Sequence, residues 1–136
     1  MSVKLKELIN PEFQASISSL RNNRDLKTSM TWKLLPIFKR IREEIENFNG
    51  VRIELCKKYA QKDKDENPIH VPLPDGNFQY IINPENTKNF EDELKDLQEN
   101  EIDLPQPVVK ISEIMEITKI TVAELEYLVG HVLIGE

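Results

Sequence analysis

Cys56 is the only cysteine in this chain of 136 residues, and its thiol is the strongest nucleophile the sequence offers. A cysteine works as a nucleophile when a base takes its proton and a third group orients that base. The available histidines are His70 and His131, and neither stands at a spacing that argues for such an arrangement. Cys56 lies beside Leu55 and two positions after Glu54, within a helical pattern, so a partly buried structural thiol is the expected role. A single cysteine also excludes an intramolecular disulfide and the usual zinc-ligand spacings. Glu91, Asp92, Glu93 and Asp96 carry oxygen ligands suited to calcium or magnesium, but their segment reads as a helix and lacks the glycine turn of a calcium loop. A solvated acidic face is expected there instead. The glycines are scattered at positions 50, 76, 130 and 135, so no glycine-rich loop can cradle a phosphate. The sequence therefore assigns no catalytic, cofactor-binding or metal-binding residue, and a non-enzymatic protein without a cofactor is expected.

Charge offers a second kind of chemistry. Arg21, Arg24, Lys27, Lys39 and Arg40, with Lys33, Arg42, Lys57 and Lys58, could present a basic face to phosphates, which makes nucleic-acid binding the alternative reading. Lys39 and Arg40 stand at helical contact spacing from Glu43 and Glu44, which neutralises part of that field. The only tryptophan, Trp32, sits beside an apolar stripe, where core packing is expected over base stacking. Residues 1–64 hold 14 Lys or Arg against 8 Asp or Glu, and residues 65–136 hold 4 against 16. Such asymmetry bears on partners and association more than on fold. The two halves can attract each other and leave an ordinary mixed surface, or the acidic half can imitate nucleic acid.

The elements that must position these residues follow from periodicity. A net charge of −6 with 39% apolar and 31% charged residues fits one folded domain. The opening MSVKLKEL lacks the apolar run of a signal peptide, and no window approaches the roughly 18 apolar residues of a membrane span, so the cytoplasm is the expected compartment. Asn10-Pro11 reads as an N-cap followed by proline at the first helical position, opening a short helix with Phe13, Ile17 and Leu20 on one side. Asn22-Asn23 reads as a turn.

The strongest signal spans 28–60, where Leu34, Phe38, Ile41, Ile45, Phe48, Leu55 and Tyr59 keep a four-three rhythm close to the 3.5-residue period of helices packed at shallow angles. A long helix in an antiparallel helical hairpin is predicted, with Pro36 starting or kinking it and Gly50 marking a weak point or a close helix contact. The polar run 61–67 reads as a linker or exposed loop. Alternation on either side of Asp75-Gly76 predicts a β-hairpin, whose first strand must be an edge because of Pro68, Pro72 and Pro74. Asn83-Pro84-Glu85 opens a third helix with Phe90, Leu94 and Leu97 inward and an acidic outer face. Val108, Val109 and Ile111 suggest a strand, Ser112 caps a turn of helix through Ile117, and Thr121 to Glu124 fits a capping box for a helix with Val122, Leu125 and Leu128, ended by Gly130.

The run KLLPIFKRIREEIENFNGVRIELCKKY over 33–59, then a charged loop and hairpin, then Asn83-Pro84-Glu85 opening an acidic helix, resembles an uncharacterised family of short phage and prophage proteins of the Gram-positive phage type. The matching elements are the Leu-x-x-x-Tyr end of the long helix at 55–59, the acidic helix at 90–97, the short apolar segment at 108–111 and the Ile-Thr-x-x-Glu-Leu segment at 120–125. The resemblance covers most of the chain. It implies a phage-encoded accessory protein in the cytoplasm of the host cell, and it carries no catalytic residues with it.

These readings give an α+β domain over residues 1–136: a basic helical hairpin at 1–60, a loop and β-hairpin at 61–82, and an acidic helix, short strand and C-terminal helix at 83–136. Protein–protein contact is the expected mode of action, in assembly or host interaction, with Leu34, Phe38, Ile41, Ile45, Phe48 and Leu55 as the interaction seam. A seam longer than the short first helix can cover is closed by later helices or by a second copy, so homo-oligomerisation is expected.

Overall fold

A computed structural model describes residues 2–115 and 121–135 of an α+β chain. In order, the elements are β1 (Ser2–Lys4), α1 (Leu5–Leu8), α2 (Pro11–Arg21), α3 (Thr28–Tyr59), β2 (His70–Pro72), β3 (Phe78–Tyr80), a 3-10 turn (Pro84–Asn86), α4 (Thr87–Gln98), β4 (Glu101–Asp103), α5 (Ile111–Met115) and α6 (Val122–Leu128). Contacts gather into two compact units, Met1–Ile45 with Glu99–Glu136 and Glu46–Gln98.

The first unit begins with a short antiparallel sheet. β1 pairs with β4 in the register Ser2↔Asp103, Val3↔Ile102 and Lys4↔Glu101, and alternation buries Val3 while Ser2 and Lys4 stay in solvent. The Leu5 amide extends the pairing by donating to the Asn100 carbonyl at 2.8 Å. Lys4 and Lys6 both reach Glu99 at 2.8 Å, so an exposed carboxylate between two ammonium groups ties the start of the chain to the approach to β4. In α2, Asn10 Oδ1 accepts from the Glu12 amide at 2.9 Å and Pro11 supplies the first helical position, which satisfies a backbone donor that would otherwise lack a partner.

Phe13, Ile17 and Leu20 form the predicted stripe, and all three are buried. The helix that lies most closely against α2 is α6. Its N-cap Thr121 accepts the Glu124 amide at 3.3 Å, Ser19 donates to Glu124 at 3.1 Å, and the Tyr127 hydroxyl donates to the Glu12 carboxylate. Leu125 and Leu128 complete this face from α6. α6 ends at Leu128 with Val129 extended as its C-cap, and Gly130, expected to end the helix, instead takes the following turn at φ 91°.

Val108, Val109 and Ile111 do not form the expected strand. Val109 is fully buried, but Ile111 opens α5, and among the described residues the segment forms a single parallel bridge, with the Ile134 amide donating to the Val109 carbonyl at 2.9 Å and the Ile111 amide donating to the Ile134 carbonyl at 2.8 Å. Val108 is exposed, because one bridge cannot turn an alternating pattern into a ladder. The expected continuation of α5 to Ile117, Ile120 of the resembling segment and the side chain of Val122 lie outside the described residues.

α3 is continuous for 32 residues and passes through Pro36. A proline inside a helix removes one backbone bond and costs about 3 kcal/mol relative to alanine. Leu34, Ile37 and Phe38 flank Pro36 and are all buried, each worth roughly 1.5–3 kcal/mol when fully removed from water, so packing outweighs the local fault.

The second unit contains the end of α3, the β2–β3 hairpin and α4. β2 and β3 pair as His70↔Tyr80, Val71↔Gln79 and Pro72↔Phe78, and Gly76 takes the turn at φ 88°. The pairing continues irregularly through bridges Ala60↔Ile82 and Lys62↔Pro68. The charged run after α3 is thus an ordered loop. Asp63 Oδ1 accepts the amides of Asp65 and Asn67 at 2.9 and 3.0 Å, the local closure that Asp side chains favour in turns. Asn83 Oδ1 caps the next segment by accepting the Glu85 amide at 3.1 Å. Tyr59 of α3 meets Phe90 of α4 edge to face, with ring centres 6.5 Å apart.

Candidate interaction surfaces

The basic residues read from the sequence separate into two groups. Arg21, Arg24 and Lys27 are exposed and follow one another from the end of α2 to the start of α3, and Lys39 is exposed about three helical turns into α3. Arg40 is half-buried and pairs with Glu44 one turn later at 3.0 Å, the local neutralisation expected from their spacing. Further ion pairs join the basic and acidic halves of the sequence: Lys4 and Lys6 with Glu99, and Lys58 with Glu93 at 3.0 Å. Part of the sequence's lopsided charge is therefore spent within the chain.

Leu34, Phe38, Ile41 and Phe48 of the seam are buried, and Ile45 and Leu55 are half-buried. The stripe is filled largely from within this chain. Trp32 corrects the expectation placed on it. It is 74% exposed, since two residues and about 200° of helical rotation separate it from Leu34, and it projects from the face opposite the buried stripe. Leu35, one turn on, is 47% exposed.

Between Val51 and Leu55 of α3 and Leu97 of α4 lies an open groove of about 370 Å³, rimmed by Glu54, Asp96 and the Lys58–Glu93 pair. The Glu93 carboxylate beside it raises the Lys58 pKa, and Lys58 in turn lowers that of Glu93. The Lys58 ammonium also stands 5.0 Å from the centre of the Tyr59 ring. An apolar floor with charged edges suits an apolar side chain more than a reacting group. Cys56 is half-buried. Among the described residues no cluster of three or more His, Cys, Asp or Glu is placed to hold a metal ion. No helix among them is long and apolar enough to cross a membrane.

The hairpin carries a surface that sequence reasoning treated only as architecture. The pairs His70↔Tyr80 and Pro72↔Phe78 place three rings on one face, with His70 to Phe78 at 4.7 Å, Phe78 to Tyr80 at 5.4 Å and His70 to Tyr80 at 5.9 Å. Phe78 is 52% exposed, and Val71 and Leu73 are exposed as well, so neither face is covered. The signal was present in the alternation itself. His70, Pro72, Phe78 and Tyr80 share a face at period two.

Comparison with protein-family models, curated proteins and solved structures gives no match to this chain.

Proposed function

We propose that this protein is non-enzymatic and acts by contact with a protein partner through its β2–β3 hairpin. The observation that carries the reading is a two-stranded hairpin with apolar or aromatic residues open on both faces: Phe78 on one, Val71 and Leu73 on the other. A hairpin of two strands is marginal in water unless something packs on it, and apolar side chains concentrated on one projecting element are what protein interfaces use. The ring cluster is pre-ordered by its own contacts, which lowers the entropic cost of binding. A phage or prophage accessory role rests on the sequence resemblance.

The test is capture of host proteins by the tagged chain, compared with Val71→Ser/Phe78→Ser. A stoichiometric partner bound at least about 30-fold more weakly by the variant, the loss expected of an interface hot spot, supports the reading. A partner retained equally by the variant contradicts it.

A second reading, nucleic-acid binding, gains from Trp32, whose ring stands in solvent on a helix that also exposes Lys33 and Lys39. Gel shifts at low and moderate salt discriminate the two. Phosphate contacts predict a steep loss of affinity with salt, and absence of a shift at low salt removes this reading.

A further inference from the structure

The start of α3 presents an apolar edge in a basic surround, and all of it lies within the first compact unit. Trp32 is 74% exposed, and Leu35 and Pro36, three and four positions on, are exposed beside it, because residues at that spacing share a helix face. Leu34, Ile37 and Phe38 are buried on the other side, so the edge stands on a helix that the core holds.

Residues 21–39 carry Arg21, Arg24, Lys27, Lys33 and Lys39, all exposed, against Asp25 alone. Lys39 has Glu43 one turn later, which offsets its charge. Arg24, Lys27 and Lys33 have no acidic residue three or four positions away, and among the described residues none of them forms an ion pair. The backbone that carries them is ordered next to the Trp32 edge: Asn23 Oδ1 accepts the Asp25 amide at 2.9 Å, and the Lys27 carbonyl accepts the amides of Met30 and Thr31 at 3.0 Å.

An occupant of this surface must accept an indole and an aliphatic side chain, and it must carry negative charge. A single-stranded nucleic acid meets the second demand, but its successive bases stack on successive rings. Trp32 is the only exposed aromatic residue of this unit among the described residues, and its neighbours on the edge are Leu35 and Pro36. An anionic bilayer meets both demands, since indole rings settle at the headgroup level, leucine reaches the acyl boundary, and Lys or Arg side chains attract acidic headgroups. The chain's net charge of −6 opposes this only weakly, because at physiological salt charges are screened beyond about 8 Å.

We infer that the Trp32 edge of α3 docks on an anionic lipid surface, with Trp32 and Leu35 at the headgroup boundary and Arg24, Lys27 and Lys33 over acidic headgroups. The contact lies on a bilayer and does not cross it. It does not depend on the hairpin reading.

Titration of the whole chain with vesicles tests the inference, read from the emission of Trp32, the only tryptophan. With vesicles of equal parts phosphatidylglycerol and phosphatidylcholine the emission should move to shorter wavelength, and acyl chains brominated near the headgroup should quench it. Arg24→Gln/Lys27→Gln/Lys33→Gln should bind these vesicles about 100-fold more weakly, since each Lys or Arg near such a surface contributes roughly five-fold. Vesicles of phosphatidylcholine alone should leave the wild-type emission unmoved. Trp32→Ala/Leu35→Ser should no longer sediment with the acidic vesicles, whereas Phe78→Ser should. A wild type whose emission does not move with acidic vesicles overturns the inference. So does binding that the charge variant retains in full, or binding that Phe78→Ser abolishes. An emission that responds to single-stranded oligothymidine and not to the vesicles overturns it in favour of the nucleic-acid reading.

Discussion

The two units divide the apolar residues unequally. The first unit holds nearly all of the buried core, including Leu8, Leu20, Leu34, Ile37, Ile41, Val109, Ile114, Leu128, Val132 and Leu133, whereas the second buries only Phe48 and Ala60 among its hydrophobic residues. α4 has no buried residue, and β2 and β3 are exposed along nearly their whole length. Beside half-buried apolar side chains such as Leu55, Ile81, Ile82, Leu94 and Leu97, the second unit has backbone bridges, the Tyr59–Phe90 contact and the Lys58–Glu93 pair. The last two are modest, since an exposed ion pair is screened by solvent and an aromatic pair contributes about 0.5–1.5 kcal/mol beyond its area. The first unit fully buries many of its apolar side chains, whereas the second half-buries most of its own and leaves Val71, Leu73 and Phe78 of the hairpin exposed.

Substitutions should expose that division. The largest effect is expected from Leu128→Ala, which removes a fully buried side chain between α6 and α2 and should cost about 2–5 kcal/mol in denaturant unfolding. Asn10→Ala leaves the Glu12 amide without its cap and should cost about 1 kcal/mol by the same measurement. Gly50→Ala should stabilise the chain by up to about 1 kcal/mol, because among the described residues an added methyl meets nothing there.

A smaller effect is expected from pH. Lys4 and Lys6 hold the Glu99 carboxyl down to about 2, against 4.5 for an ordinary glutamate. A carboxyl depressed in the folded state stabilises it above the unfolded value, and that contribution fades as pH falls from about 4.5 to about 2. Glu99→Gln should therefore lose that contribution at neutral pH, change little near pH 2 where it has already faded, and so flatten the acid limb of stability between the two. At the hairpin, Phe78→Ser should cost about 1 kcal/mol in unfolding, well below Leu128→Ala, because half of the ring is already in water and its remaining contacts are with the His70 and Tyr80 rings.

Local signals were legible in the sequence wherever one residue type satisfies one backbone need. Asn10, Asn83 and Thr121 cap the segments they were expected to cap, Gly76 and Gly130 take positive φ, and the four-three rhythm gives α3 almost to the residue. Long-range partners were not legible. Nothing in Ser2–Lys4 announces a strand, because the segment it pairs with lies almost a hundred residues away. The closeness of α6 to α2 is equally invisible to periodicity, which reports that a face is apolar and not what covers it. Trp32 was misplaced for a related reason. Proximity in sequence to Leu34 suggested a shared face, while helical rotation puts the two on opposite sides. The ring cluster at His70, Phe78 and Tyr80 was written in the alternation, but its exposure depends on what the rest of the chain fails to cover.

Native-state hydrogen exchange, read residue by residue, tests the division of labour most directly. Amides in α2 and α6 should exchange only through global unfolding, while the Leu73 and Ile81 amides of the hairpin, which donate at 2.7 and 3.0 Å, should open at least 100-fold more often, a local free energy lower by roughly 3 kcal/mol. Hairpin amides as strongly protected as those of α2 and α6 would contradict the account, because the second unit would then be stabilised as firmly as the first and its exposed residues would not mark a loosely held contact surface.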